Sequence, residues 1–135
     1  METITLNDDI KVFYIIAKSF PDGIGDAHVR LHELVPDTYN RKFFGISRPE
    51  NGIIVYKAAA EEINSGEAEN FHCETMIIRK GKYMSILAND FMKDIPAIGR
   101  AFKELLTHPG LDPEGYCVEW YLDNKNVRCM IRLKQ

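Results

Sequence analysis

Apolar and polar positions run along this chain with two alternating periods, and the switches between them mark the elements. Thr3 to Leu6 and Ile10 to Ala17 are rich in Ile, Val, Phe and Tyr and predict two strands. Asn7-Asp8-Asp9 between them predicts a hairpin turn. Phe20-Pro21-Asp22-Gly23 breaks the second strand. Ile24, Ala27, Leu31 and Leu34 then recur at helical spacing and predict a helix with one apolar face, stopped by Pro36. Arg41 to Ser47 predicts a strand, Pro49-Glu50-Asn51-Gly52 a turn, and Ile53 to Ala59 another strand. Asn64-Ser65-Gly66-Glu67 is a polar connector.

The same order follows again. Phe71 to Arg79 and Tyr83 to Ala88 predict strands around a turn at Lys80-Gly81-Lys82. Asp94 is the expected N-cap of a second helix, whose apolar face is Ile95, Ile98, Phe102 and Leu105. His108-Pro109-Gly110 ends it. Tyr116 to Leu122 and Val127 to Leu133 predict the last strands, joined by Asp123-Asn124-Lys125-Asn126. The helix faces begin at Ile24 and Ile95, which stand 71 residues apart, and the preceding strands begin near Lys11 and Lys82, also 71 apart. This spacing predicts an α+β fold built by internal duplication of a strand–strand–helix–strand–strand module, the two copies covering about 2–63 and 70–134. The expectation is one domain over 1–135, with an antiparallel sheet and two helices, because neither half alone carries a sufficient core.

Composition narrows the function. The chain has 135 residues, 45% hydrophobic and 27% charged, as a folded domain requires. Its net charge of -3 argues against a phosphate-binding surface, so no direct nucleic-acid binding is expected. No stretch reaches the roughly 18 apolar residues of a membrane span, and the N-terminus lacks the pattern of a signal peptide. Three cysteines, Cys73, Cys117 and Cys129, without short paired spacing, argue against a disulfide framework or a zinc site and suit a reducing cytoplasm. No cofactor fingerprint or metal motif is present.

The strand Cys117-Val118-Glu119-Trp120-Tyr121-Leu122 carries the most informative chemistry. Alternation puts Val118, Trp120 and Leu122 on one face, expected to meet a helix, and Cys117, Glu119 and Tyr121 on the other. Tyr83, Ser85 and Leu87 form a similar mixed face. Two such faces meeting between the halves would build a mostly apolar cleft with a few polar groups, the usual construction of a small-molecule site. A carboxylate among aromatic rings attracts an organic cation by charge and by cation–π attraction. Tyr14 and Tyr56 join the candidates, although their strands are apolar on both faces and give no parity. His28 and His32 stand four apart on the first helix without a His-Glu-x-x-His motif, and a solvated helix face accounts for them.

These residues resemble a family. Ile78-Arg79-Lys80-Gly81-Lys82-Tyr83, a helix, and then Gly115-Tyr116-Cys117-Val118-Glu119-Trp120-Tyr121 look like the GyrI-like domain, the effector-binding domain of many bacterial transcription activators. Phe44-Gly45-Ile46, then Val55-Tyr56 and Ala58-Ala59-Ala60-Glu61, extend the likeness over roughly residues 2–134. The resemblance implies two strand–helix–strand modules related by pseudo-two-fold symmetry, with a ligand cleft between them. It also implies a buried glutamate that takes hydrophobic, often cationic ligands. Carried over by motif, that glutamate is Glu119, with Tyr121 beside it and Tyr83 across the cleft. Phe44 stands where the family often has tyrosine. With no room for a DNA-binding helix-turn-helix on either side, the expected protein is a free-standing cytoplasmic ligand binder. Two alternatives stand beside it. One is a hydrolase of reactive electrophiles using Glu119 and Tyr121. The other is a protein-interaction module like the DNA gyrase inhibitor of this family.

Overall fold

Among the described residues, eight strands and three α-helices form in the order β1 (Glu2–Leu6), β2 (Ile10–Ile16), α1 (Ile24–Leu34), β3 (Phe43–Glu50), β4 (Ile53–Glu61), α2 (Glu67–Asn70), β5 (Glu74–Ile78), β6 (Gly81–Ala88), α3 (Pro96–Leu105), β7 (Cys117–Tyr121) and β8 (Val127–Arg132). The computed structural model describes residues 1–35 and 40–135, so the helix stop expected at Pro36 lies outside the described residues. All strands join one antiparallel sheet in the order β1-β6-β8-β7-β3-β4-β2-β5.

That order corrects the expected first hairpin. β1 pairs with β6 and β2 with β5, so Asn7–Asp9 and Arg79–Lys80 are crossings between the two ends of the sheet. Six strand spacings in a flat sheet would span about 29 Å. The three residues after Leu6 reach at most about 15 Å. The sheet therefore curls until its ends meet, and the Lys80 amide donates to the Asp9 carboxylate (2.8 Å) where the two crossings touch.

Curling gives the sheet two different apolar faces. The concave face closes on itself around Leu6, Val12, Phe44, Ile46, Ile78, Tyr83, Val118 and Met130, drawn from both ends of the sheet. The other face carries the long helices. Ala27 and Leu31 of α1 pack on Phe13, Phe43, Tyr56, Ala58 and Ala60. Ala101 and Leu105 of α3 pack on Ala88, Val127, Cys129 and Ile131. Each fully buried large aliphatic or aromatic side chain contributes about 1.5–3 kcal/mol, which is why α1 and α3 stay docked through so few residues each.

Local details depart from the sequence reading for physical reasons. β3 runs on through Pro49 to Glu50, because β7 covers only Phe43 to Ser47 and leaves Pro49 without a ladder bond to supply on that side. The turn narrows to Asn51-Gly52, both with positive φ (54° and 80°), the two-residue hairpin geometry these residues favour. Asp94 does not cap α3; its carboxylate instead pairs with Arg100, and Ile95, expected in the apolar face, is exposed. The mid-chain connector forms the short helix α2. Its Glu67 accepts both Arg41 guanidinium nitrogens (2.9 and 2.8 Å) and the amides of Ile63 and Asn64 (2.7 and 2.9 Å). The Arg41 hydrogen bonds, more than any other cause, hold the Glu67 carboxyl down at about 2.

Candidate functional site

The central pair of strands, β3 and β7, places Gly45 opposite Glu119. Glycine is required there. A Cβ on Gly45 would lie 1.9 Å from the Tyr56 hydroxyl and 2.8 Å from Glu119 Oε1. Its absence lets the Tyr56 side chain reach from β4 across β3 to β7. Tyr56 Oη donates to Glu119 Oε1 at 3.0 Å, and Tyr121 Oη donates to the same oxygen at 2.6 Å. Both bonds fall on Oε1. Among the described residues no donor reaches Oε2, and no lysine or arginine pairs with the carboxylate.

A histidine extends the network. His28 Nε2 lies 2.8 Å from Tyr56 Oη. Tyr56 has one hydroxyl proton and gives it to Glu119, so His28 completes the chain as an Nε2–H donor. Burial, with His32 adding to it, lowers the His28 pKa to about 4, so the ring is neutral at pH 7. Glu119 is 8% exposed. Burial pushes its carboxyl above the usual carboxylate range, against the pull of the two tyrosine hydrogen bonds. Burial first, and then the neighbouring carboxylate, drive the Tyr56 and Tyr121 phenols far above their usual range, so both are donors at any ordinary pH. The flanking thiols follow the same rule: Cys117 rises to about 11 and Cys129 to about 12.

Rings pack against the two tyrosines that hold this carboxylate. His28 stands edge-on to Tyr56 and Tyr121, with centroids 5.7 and 5.2 Å apart. Phe20, before α1, lies 6.2 Å from Tyr56, and Phe91, in the single 3₁₀ turn before α3, lies 5.7 Å from Tyr121. Tyr121 packs against both the α1 and the α3 clusters, so the site occupies the seam between the two helices. His28, Phe20 and Phe91 thus each lie against a tyrosine that donates to Glu119.

The structure brings together three of the five candidate residues, Glu119, Tyr121 and Tyr56. Tyr83 and Tyr14 belong to the concave face instead, so the expected position of Tyr83 across the cleft is corrected. Tyr83 Oη donates to the Arg79 carbonyl (2.6 Å) and Tyr14 Oη to Glu74 (2.9 Å). Tyr14 lines a separate cavity of about 670 Å³ whose Glu62 and Glu74 are already paired, with Lys11 and Tyr14. The face assignment of β7 is likewise reversed. Val118 and Trp120 face the concave core, and Cys117, Glu119 and Tyr121 face the helices. The concave face is apolar without any helix, so an apolar face alone does not mark the helix side. His28, read as a solvated position, is half-buried and belongs to the network. No local sequence signal locates it: its partner Tyr56 reaches Glu119 only because Gly45 has no side chain in the way.

No family model matches the sequence, and no curated protein matches it significantly. Solved structures share its fold. An integron cassette protein from the mobile metagenome of Vibrio cholerae superposes with a TM-score of 0.72 at 12% identity, covering 98% of this chain and 95% of its own. SAV2435, solved bound to tetraphenylphosphonium, gives a TM-score of 0.62 at 12% identity over 97% of this chain and 93% of its own. A hydrolase from Listeria innocua gives 0.53 at 9% identity over 98% and 90%. At these identities the likeness establishes the fold. Among the described residues no helix is long and apolar enough to cross a membrane.

Proposed function

We propose that this protein binds a small hydrophobic organic cation, with its positive centre held by Glu119 and its apolar parts against Tyr56, Tyr121, His28, Phe20 and Phe91. The observation that carries this reading is the buried carboxylate with no lysine or arginine partner among the described residues. An unpaired buried carboxylate costs several kcal/mol in its charged form. Such a group persists where a ligand supplies the missing charge. The shared fold of SAV2435, which binds a cation of this class, supports the assignment, as does the resemblance to GyrI-like effector-binding domains. On this reading the protein is a cytoplasmic sensor or sequestering protein, and the three free thiols suit that compartment.

Internal duplication is part of the same proposal. The sheet order reads the same from either end when β1–β4 are exchanged with β5–β8. Phe20 and Phe91 stand 71 residues apart, the offset between the two helices, and each covers one tyrosine of the site. Titration calorimetry with tetraphenylphosphonium and with neutral triphenylphosphine oxide tests the charge requirement. The cation is expected to bind and the neutral compound to bind at least tenfold more weakly. Equal affinity for both would remove the role given to the carboxylate.

The hydrogen-bonded chain supports a second reading. A carboxyl with a raised pKa, 2.6 Å from a phenol, can act as general base or acid in hydrolysis, with Glu119 and Tyr121 as the pair. Turnover of an electrophilic ester or epoxide that Glu119→Gln abolishes would favour it.

A further inference from the structure

Four large apolar side chains are exposed together beside the site. Ile16 (48%), Phe20 (42%), Ile53 (71%) and Ile54 (41%) line a groove of about 340 Å³ with Ala17 and Val55, and with Lys18 and Ser19 as its polar members. The groove arises where β4 outruns its partner. β2 pairs with β4 only up to Ile16, and the chain then turns away through Ala17 to Phe20, leaving Ile53 to Val55 paired on the β3 side alone. Exposed apolar side chains that cluster, unlike ones scattered singly, mark binding surfaces. Phe20 ties this one to the carboxylate. Its ring forms part of the groove and also lies 6.2 Å from Tyr56, whose hydroxyl donates to Glu119.

We infer that the ligand is an amphiphilic cation with an extended apolar tail, its head at Glu119 and its tail running past Phe20 into the groove between Ile16, Ile53 and Ile54. This inference rests on the cation-binding reading and adds the shape of the ligand. A compact cation would leave the groove open to water, whereas a chain of several methylenes fills it. The volume of the groove is at the low end of small-molecule sites, as suits a tail rather than a second ring system.

The test is titration calorimetry with trimethylammonium ions carrying butyl, hexyl and octyl chains, below their micelle concentrations. Each methylene that leaves water for the groove should tighten binding about three- to fourfold, or roughly 100-fold from butyl to octyl. In Ile53→Ser/Ile54→Ser, checked for an unchanged melting profile, the dependence on chain length should flatten. In Glu119→Gln every member should weaken while the dependence persists. Glu119-dependent binding of the butyl ion with no gain on lengthening would overturn the tail and leave the head in place. An unflattened dependence in the isoleucine variant would also overturn the tail. Failure of wild type to bind any member would remove both head and tail. Independence of chain length, together with dimerisation that the isoleucine variant abolishes, would assign the groove to a second copy of the chain.

Discussion

Replacing Glu119 by glutamine should change how stability depends on pH, and the direction follows from burial. The Glu119 carboxyl titrates above the ordinary carboxyl range in the folded protein because burial disfavours its charge. Between the ordinary value and the raised one, the native state holds a proton that the unfolded chain has lost. Stability from this group is therefore fully present below the ordinary carboxyl pKa and is lost as pH rises through the folded value. The loss is at most about 1.4 kcal/mol per pH unit, the value for one proton. Glutamine cannot ionise and keeps an oxygen to accept from Tyr56 and Tyr121. His28, with its pKa lowered to about 4, has the opposite trend: its contribution is present above about 6.5 and is lost as pH falls towards 4. It is present in both proteins, so subtraction removes most of it. Urea denaturation of wild type and Glu119→Gln at half-unit steps from pH 4.5 to 8 gives the difference. Wild type should lose ground against the variant steadily as pH rises, and the variant should be the more stable at pH 8 without ligand. A difference that stays constant over this range would show that Glu119 titrates alike in the folded and unfolded chains, and the argument from burial would fall.

Other perturbations test separate parts of the account. Gly45→Ala places a methyl group against the Tyr56 hydroxyl and Glu119 Oε1, so it should cost about 1–3 kcal/mol in chemical denaturation and weaken ligand binding, whereas Gly25→Ala, with open space at its Cβ, should not destabilise. Glu67→Gln breaks a buried bidentate pair with Arg41 and should cost about 3–5 kcal/mol. In wild type the same carboxyl, held down at about 2, gives stability that is present above the ordinary carboxyl pKa and lost as pH falls towards 2, so the variant should show a shallower acid limb. Cys117 and Cys129, raised to about 11 and 12, should alkylate with iodoacetamide at pH 8 at least tenfold more slowly in the native protein than in urea, as followed by mass spectrometry.

Much of the fold was legible because periodicity reports burial. The eight strands, the two long helices, and the shared face of Glu119 and Tyr121 all follow from spacing. Pairing was less legible. Asn7-Asp8-Asp9 has turn chemistry, and turn chemistry does not say whether the flanking strands pair with each other or cross to opposite ends of a curled sheet. Parity located Glu119 relative to its neighbours but not relative to the helices, since Val118 and Trp120 satisfy an apolar core as well as a helix would. Tyr56 and His28 were harder still. The network joins Tyr56 to Glu119 across 63 residues of sequence and His28 to Tyr56 by a helix-to-sheet contact. It depends on the missing side chain at Gly45, which no local pattern advertises.

The central claim is that the Glu119 carboxylate holds the positive centre of a ligand. The most direct measurement is the dissociation constant of tetraphenylphosphonium for wild type and Glu119→Gln, side by side at pH 8, where the carboxyl is most ionised. Loss of a charged partner worth about 1–3 kcal/mol predicts that the variant binds roughly 5- to 150-fold more weakly. Equal affinities in the two proteins, with the fold intact in both, would contradict the claim.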